Sequence, residues 1–293
     1  MNHNKKIYKY TFTSVIVLFT TYTLTFSQET AKALLAHPKL FIGINVGSSV
    51  SQKINSTVKS ISGLTHVDKN TFSGSFELGY FFSRSFGLST GLEYSTYSTE
   101  FSLKSYENKF TTTDSEKETY ERLISGSGIK EIQNISFLKV PFCLNLQFFL
   151  GKRFGLYIQA GANLVLPLKK EYTGSGTFTY AGYYPAYNVT FQNLPAYGFQ
   201  SKAAVSTNGQ LELKSTNFEG LGGAGFQCFI SKKIHVTLGA TYSRSLSTIS
   251  GYTAPEKFQL SSDVAKINSM MGGSSNVTAQ SLRLRLGIRY YLK

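Results

Sequence analysis

The sequence predicts an all-β chain, an eight-stranded antiparallel transmembrane β-barrel with long extracellular loops and short periplasmic turns. Three observations carry that expectation. Apolar side chains recur at every second position in one stretch after another, which is the mark of a strand with two unlike faces. Tight turns alternate strictly with long connections. The face opposite the apolar one is built of small, polar and basic residues, as a lumen requires when lipid lies outside.

The final stretch shows the pattern most plainly. Leu282, Leu284, Leu286, Ile288, Tyr290 and Leu292 occupy the even positions, with Arg283, Arg285, Gly287, Arg289 and Tyr291 between them. A soluble sandwich strand also alternates, but it rarely sets three arginines on one face unless that face meets water or a closed polar interior.

In chain order, residues 1–27 read as a secretory signal peptide. Lys5, Lys6 and Lys9 form a basic start, residues 15–19 an apolar centre, and Thr25, Phe26 and Ser27 a cleavage site before Gln28. Residues 28–38 suit a short periplasmic helix ended by Pro38, and residues 39–293 form the barrel domain.

The first strand sets Leu40, Ile42, Ile44 and Val46 against Gly43, Asn45 and Gly47. The second has Phe72, Phe76, Leu78, Tyr80 and Phe82 on its apolar face, and the third has Phe86, Leu88, Leu92 and Tyr94. The fourth runs through Leu138, Val140, Phe142, Leu144, Leu146 and Phe148, the fifth through Phe154, Leu156, Ile158, Ala160, Ala162 and Leu164. In the sixth, over residues 218–230, glycines at 220, 222, 223 and 225 blur the alternation. The seventh carries Ile234, Val236, Leu238, Ala240 and Tyr242, and the eighth is the final stretch. Three tight turns, at residues 83–85, 151–153 and 231–233, all open to one side, and the intervening loops fall at about residues 48–70, 98–133, 170–216 and 246–277. A soluble eight-stranded barrel would instead show a polar outer face.

The formal charge is +14. Its distribution excludes a nucleic-acid reading, which needs a contiguous basic patch with base-reading groups. Arg84, Lys152, Arg153, Lys232, Lys233 and Lys293 sit at the turns and the C-terminus, whereas Lys139, Arg283, Arg285 and Arg289 project into the lumen. An eight-stranded barrel is filled by its own side chains, so these charges need partners. Glu77 and Glu93, with Glu219 as a third, are the acids available. The arrangement reads as a salt-bridge plug, or alternatively as a narrow anion-preferring pore.

Several segments are similar to the small bacterial outer-membrane β-barrel domain proteins labelled porin-family or PorT-like. They are F-E-L-G-Y-F-F at residues 76–82, F-G-L-S-T-G-L-E-Y at 86–94, F-L-K-V-P-F-C-L at 137–144, G-L-Y-I-Q-A-G-A at 155–162, G-A-G-F at 223–226, Y-S-R-S-L at 242–246 and the final strand. The resemblance implies an eight-stranded barrel resident in the bacterial outer membrane, with a secretion-assembly role among the functions of such proteins. Many members end on an aromatic residue; this chain ends Tyr290-Tyr291-Leu292-Lys293.

Little in the chain points to catalysis. Cys143 on the lumen face and Cys228 on the lipid face are not expected to pair. His37, His66 and His235 are too scattered for a metal site, and the His66/Asp68 pair has no partners at recognisable spacing. No cofactor is expected. Ser262 to Ile267 reads as a capped short helix. The strongest binding feature is the uncharged run at residues 172–201, with Tyr172, Phe178, Tyr180, Tyr183, Tyr184, Tyr187, Phe191, Tyr197 and Phe199. It suits a glycan, a protein partner's apolar surface or lipid; alternatively the strands continue past the membrane and the rings pack inward. The expected function is structural, surface-binding or accessory within an outer-membrane assembly, in a non-enzymatic, monomeric barrel. The alternative is a passive narrow pore for small solutes or apolar compounds.

Overall fold

A computed structural model describes residues 39–56, 63–150, 153–253, 258–264, 266–274 and 276–292. The expected signal peptide, the lead-in helix, Lys152 and Lys293 lie outside the described residues.

Eight long strands pair in a ring. They are β1 (Lys39–Ser56), β3 (Phe72–Phe81), β4 (Phe86–Thr113), β5 (Thr119–Phe149), β6 (Phe154–Tyr184), β9 (Asn217–Phe229), β10 (Ile234–Ser245) and β11 (Val277–Tyr291). Each neighbouring pair is antiparallel, and β1 pairs with both β3 and β11, so the circuit returns to its start. Three short strands lie off the ring: β2 (Thr65–Asp68) on β4, and β7 (Val189–Phe191) and β8 (Gln200–Gln210) on β6. Two 3₁₀ turns, η1 (Pro195–Tyr197) and η2 (Met270–Gly273), complete the described elements.

The expected parity holds through the lower half of the wall. On β11 the residues at 282, 284, 286, 288 and 290 are exposed, while 281, 283, 287, 289 and 291 are buried. The exposed set continues around the ring through Ile44, Phe76, Leu92, Phe142, Phe154, Phe226 and Leu238, giving an apolar outer belt. An exposed wall this apolar and this continuous is stable only against hydrocarbon.

Two of the expected loops are largely strand. β4, β5 and β6 have 28, 31 and 31 residues, about three times the roughly 9–11 that a bilayer needs. Residues 98–133 are therefore a hairpin closed by a tip at 114–118, and residues 170–216 contain the end of β6 together with β7, η1 and β8. Above the belt the polarity of the wall inverts. Tyr97, Phe101 and Leu103 on β4 point inward and are buried, while the outward Ser98, Glu100 and Ser102 are each partly exposed. A water-facing sheet around a packed interior demands that reversal.

Irregularities also move the parity. On β5 the register shifts between Ser127 and Lys130, where Gly128 has φ 60°, a left-handed conformation that glycine adopts without steric cost. A second shift lies opposite Pro167 and Lys169 on β6.

The interior above the belt is closed by the chain between β10 and β11. Ile249 and Met271 join Tyr97, Phe137, Tyr172 and Leu211 in one apolar cluster, and Leu260, Ile267 and Met270 join Phe101, Ile129, Phe178 and Tyr180 in a second. Backbone bonds pin its start: Ile249 N–H donates to Val277 O at 2.8 Å, and Gly251 N–H to Glu212 O at 2.8 Å. Among the described residues of 262–267 the expected helix is not seen. Asp263 and Lys266 pair as an isolated bridge instead, and the Ser261 hydroxyl lies within donating distance of the carbonyls of both Asp263 (2.9 Å) and Lys266 (3.0 Å), so that its single proton is shared between them. Short hydroxyl side chains that engage nearby backbone in this way compete with helix formation.

The boundary between belt and extension is testable by charge insertion. Leu284→Lys is expected to destabilise the refolded barrel by about 2–4 kcal/mol in lipid vesicles, as at a bilayer midplane. Ser175→Lys, outward on the same wall above the belt, is expected to stay within about 0.5 kcal/mol of the parent in the same urea titration.

Candidate functional site

The lumen inside the belt is built from register. Gly43 on β1 lies opposite Arg289 on β11 and Glu77 on β3. With no side chain at Gly43, the guanidinium crosses β1 and grips the carboxylate in a fork: Arg289 Nε donates to Glu77 Oε2 at 3.1 Å and Nη2 to Oε1 at 3.0 Å. A Cβ at Gly43 would stand 3.3 Å from the Arg289 side chain and 3.4 Å from Glu77 Oε2. Gly47 plays the same part for Arg285, which lies opposite it. Arg285 Nη2 donates to Ser75 Oγ at 2.8 Å and stands 3.9 Å from Glu93 Oε2.

The next level pairs Arg283 Nη1 with Glu93 Oε1 at 2.9 Å. Above it Lys139 Nζ donates to Glu219 Oε2 at 2.6 Å and to the Tyr97 hydroxyl at 3.1 Å, with Asn163 Nδ2 also donating to Glu219. Both Lys139 and Glu219 are essentially excluded from solvent. All seven charges expected in the lumen, Glu77, Glu93, Lys139, Glu219, Arg283, Arg285 and Arg289, are thus brought into one column of ion pairs.

Beneath this column the turn end is floored by aromatic rings. Phe41 lies 5.6 Å from Phe81 and 5.4 Å from Tyr291, and His235 packs against Tyr291 at 4.3 Å and Phe229 at 4.6 Å. Cys143 is buried and Cys228 half-buried, and neither is in a disulfide. His66 and Asp68 fall on β2, where Asp68 accepts a bond from Thr99 Oγ1 at 3.0 Å and the His66 ring lies 6.0 Å from Phe101.

The aromatic run divides. Tyr172, Phe178, Tyr180, Tyr184 and Phe199 are buried and pack inward, as the alternative reading of that run expects. Tyr183 is half-buried. Tyr187, Phe191 and Tyr197 remain exposed, and with Val189 and Leu194 they form an apolar patch at the distal end. The patch is held to the β4–β5 tip by Tyr187 Oη donating to Glu118 Oε1 at 2.6 Å and Tyr184 Oη to Asp114 Oδ2 at 3.0 Å. Backbone bonds from Glu116 and Glu118 to Asp114 Oδ1 tighten that tip in turn.

Sequence reasoning missed Glu131. It lies above the belt on β5, fully buried, and among the described residues no cation pairs with it. Its Oε1 accepts from Gln133 Nε2 at 2.6 Å and Ser269 Oγ at 2.7 Å, and Oε2 from the Met270 N–H at 2.7 Å. The carboxylate thus holds η2 of the plugging segment against the wall. Burial pushes its pKa above the usual carboxylate value, and the three hydrogen bonds offset only part of that rise. A signal was present: Ile129, Glu131, Gln133, Ile135 and Phe137 share one parity, so the acid belongs to an inward apolar face. Arg122 was missed likewise; it is buried beside Tyr180 and Phe199 and donates to Gly198 O at 3.0 Å.

A family model described as the outer membrane protein β-barrel domain matches residues 26–251 of the 293-residue chain. Among solved structures, the outer membrane protein OprG from Pseudomonas aeruginosa is similar at 12% identity and TM-score 0.41, over 88% of this chain and 96% of that one. Neisserial surface protein A is similar at 12% identity and TM-score 0.35, over 86% and 96%. The attachment invasion locus protein Ail of Yersinia pestis is similar at 12% identity and TM-score 0.31, over 86% and 97%. No curated protein matches the chain.

Two outcomes follow from the geometry. Lys139→Met alone is expected to cost about 3–5 kcal/mol by stranding Glu219, and pairing it with Glu219→Gln is expected to restore most of that loss, measured by urea unfolding in lipid vesicles. For Glu131 the native pKa is raised, so its stabilising contribution is full below the ordinary value of 4.5 and is lost as pH rises through the higher native value. Amide-exchange protection of residues 266–274 should therefore decline over that window, and Glu131→Gln should flatten the dependence.

Proposed function

Since the chain belongs to the outer membrane protein β-barrel domain family, we propose that it is a sealed barrel whose task is binding at the cell surface, carried by the extension above the outer membrane. The observation behind this reading is the contrast between the two ends. The lumen is occupied at three levels, by the Phe41 and Tyr291 floor, the ion-pair column and the apolar plug held by Glu131. The distal end instead leaves Tyr187, Val189, Phe191, Leu194 and Tyr197 in water, beside the acidic Asp114, Glu116 and Glu118.

Exposed aromatics on a braced loop suit recognition, because they offer large contact area with few torsions to freeze. We assign them a protein partner, within an outer-membrane assembly that includes the secretion role implied by the PorT-like resemblance. The role we assign is binding; the His66/Asp68 pair is engaged with Phe101 and Thr99. The pore alternative fares worse, since the buried Lys139–Glu219 and Arg289–Glu77 pairs stand across the path that a solute would take.

A triple variant, Tyr187→Ser, Phe191→Ser and Tyr197→Ser, tests the assignment. Proteins co-isolated from native outer membranes are expected to fall at least tenfold relative to the parent, with the barrel still folded; unchanged recovery would overturn it. In planar bilayers the parent is expected to show no stable single-channel steps, and sustained ion-selective conductance would favour the pore instead.

A further inference from the structure

The charge column does not balance. Among the described residues, the belt contains three buried or nearly buried carboxylates, Glu77, Glu93 and Glu219, against four cations, Lys139, Arg283, Arg285 and Arg289. Three of the pairs are close: 2.6 Å for Lys139–Glu219, 2.9 Å for Arg283–Glu93 and 3.0 Å for Arg289–Glu77. Arg285 is the surplus, since its nearest carboxylate, Glu93 at 3.9 Å, is already bonded to Arg283.

Among the described residues no neighbouring acid makes up the difference. Glu131 lies eight residues along β5 from Lys139 (139 minus 131), on the order of 26 Å at the rise of a strand. At the turn end the described charges, Lys39, Arg84, Arg153, Lys232 and Lys233, are all cations. An uncompensated guanidinium inside a wall facing hydrocarbon is costly unless something neutralises it.

The space and the donors for a counterion are both present. Arg283 and Arg285, with Ser75, Thr241, Ser243 and Ser281, line a cavity of ≈ 30 Å³. About 10–15 Å³ of such space holds one water, so this cavity admits a species of one- or two-water size and excludes sulfate or phosphate with its shell. Arg283, 4% exposed, keeps its Nε and Nη2 groups without a hydrogen-bond partner among the described residues, its guanidinium carbon lying 5.1 Å from the centre of the Tyr97 ring. Glu77 and Glu93 border the cavity too, but each is already held by a guanidinium.

We propose that this cavity binds one monatomic halide, chloride under ordinary conditions, beside Arg283 and Arg285, and that the ion completes the charge balance of the lumen. The site is independent of the surface-binding reading, since it requires only the closed belt.

Crystals of the refolded full mature chain soaked in bromide are expected to show an anomalous peak inside the lumen at hydrogen-bond distance from Arg283 or Arg285. In detergent, replacing methanesulfonate by chloride at equal ionic strength is expected to raise the thermal midpoint by about 2–4 °C, and Arg285→Gln should abolish that rise. A lumen holding only water in the bromide data, or a midpoint indifferent to halide in the parent, would overturn the proposal. If Arg285→Gln does not refold, the bromide occupancy of the parent decides alone.

Discussion

A wall with hydrocarbon on one side and packed side chains on the other must alternate at every residue, and that constraint governs this molecule from β1 to β11. It explains why the arginines of β11 share one parity and its leucines the other, and why glycines stand where a long basic side chain has to cross a neighbouring strand. It also sets the limit of the pattern. Once the wall leaves the hydrocarbon the outer medium is water, and the apolar parity passes to the inside.

The inversion divides the barrel into two machines on one set of strands. Below, the interior is polar, and its stability rests on ion pairs whose partners come from strands far apart in sequence, such as Glu77 with Arg289 and Lys139 with Glu219. Above, the interior is apolar and is filled by the β10–β11 connection, fastened by the buried carboxylate of Glu131. The first part lines the lumen with paired charges, and the second supports the distal aromatic patch on long, paired strands rather than on loose chain.

The membrane half was legible in the sequence because its alternation is regular and its apolar residues are large. Even β9, blurred by glycines, fell within a residue or so of its expected span. The ion-pair column could be anticipated because few acids exist within the belt to meet its cations. The extension is harder to read, and over residues 172–201 strands continuing past the membrane stand as an alternative to loop, for a physical reason: its outward face is Ser, Thr, Glu and Lys, so the same strand loses its apolar signal on the side being followed, and bulges at Gly128 and near Pro167 then switch the parity. Residues 262–267 carried a helix signal that the Ser261 hydroxyl and the burial of Leu260 and Ile267 against the wall override. Glu131 is legible only when the shared parity of Ile129, Ile135 and Phe137 is followed through the polar residues between them.

The most direct test of the parity inversion is a spin-label scan of β4 from residue 86 to 103 in lipid vesicles, comparing accessibility to oxygen with accessibility to a water-soluble nickel reagent. Period-two oxygen accessibility is expected at 88, 90, 92 and 94, passing to nickel accessibility on the same parity at 96, 98, 100 and 102. Oxygen accessibility continuing unchanged past residue 96, or nickel accessibility without a period of two, would contradict it.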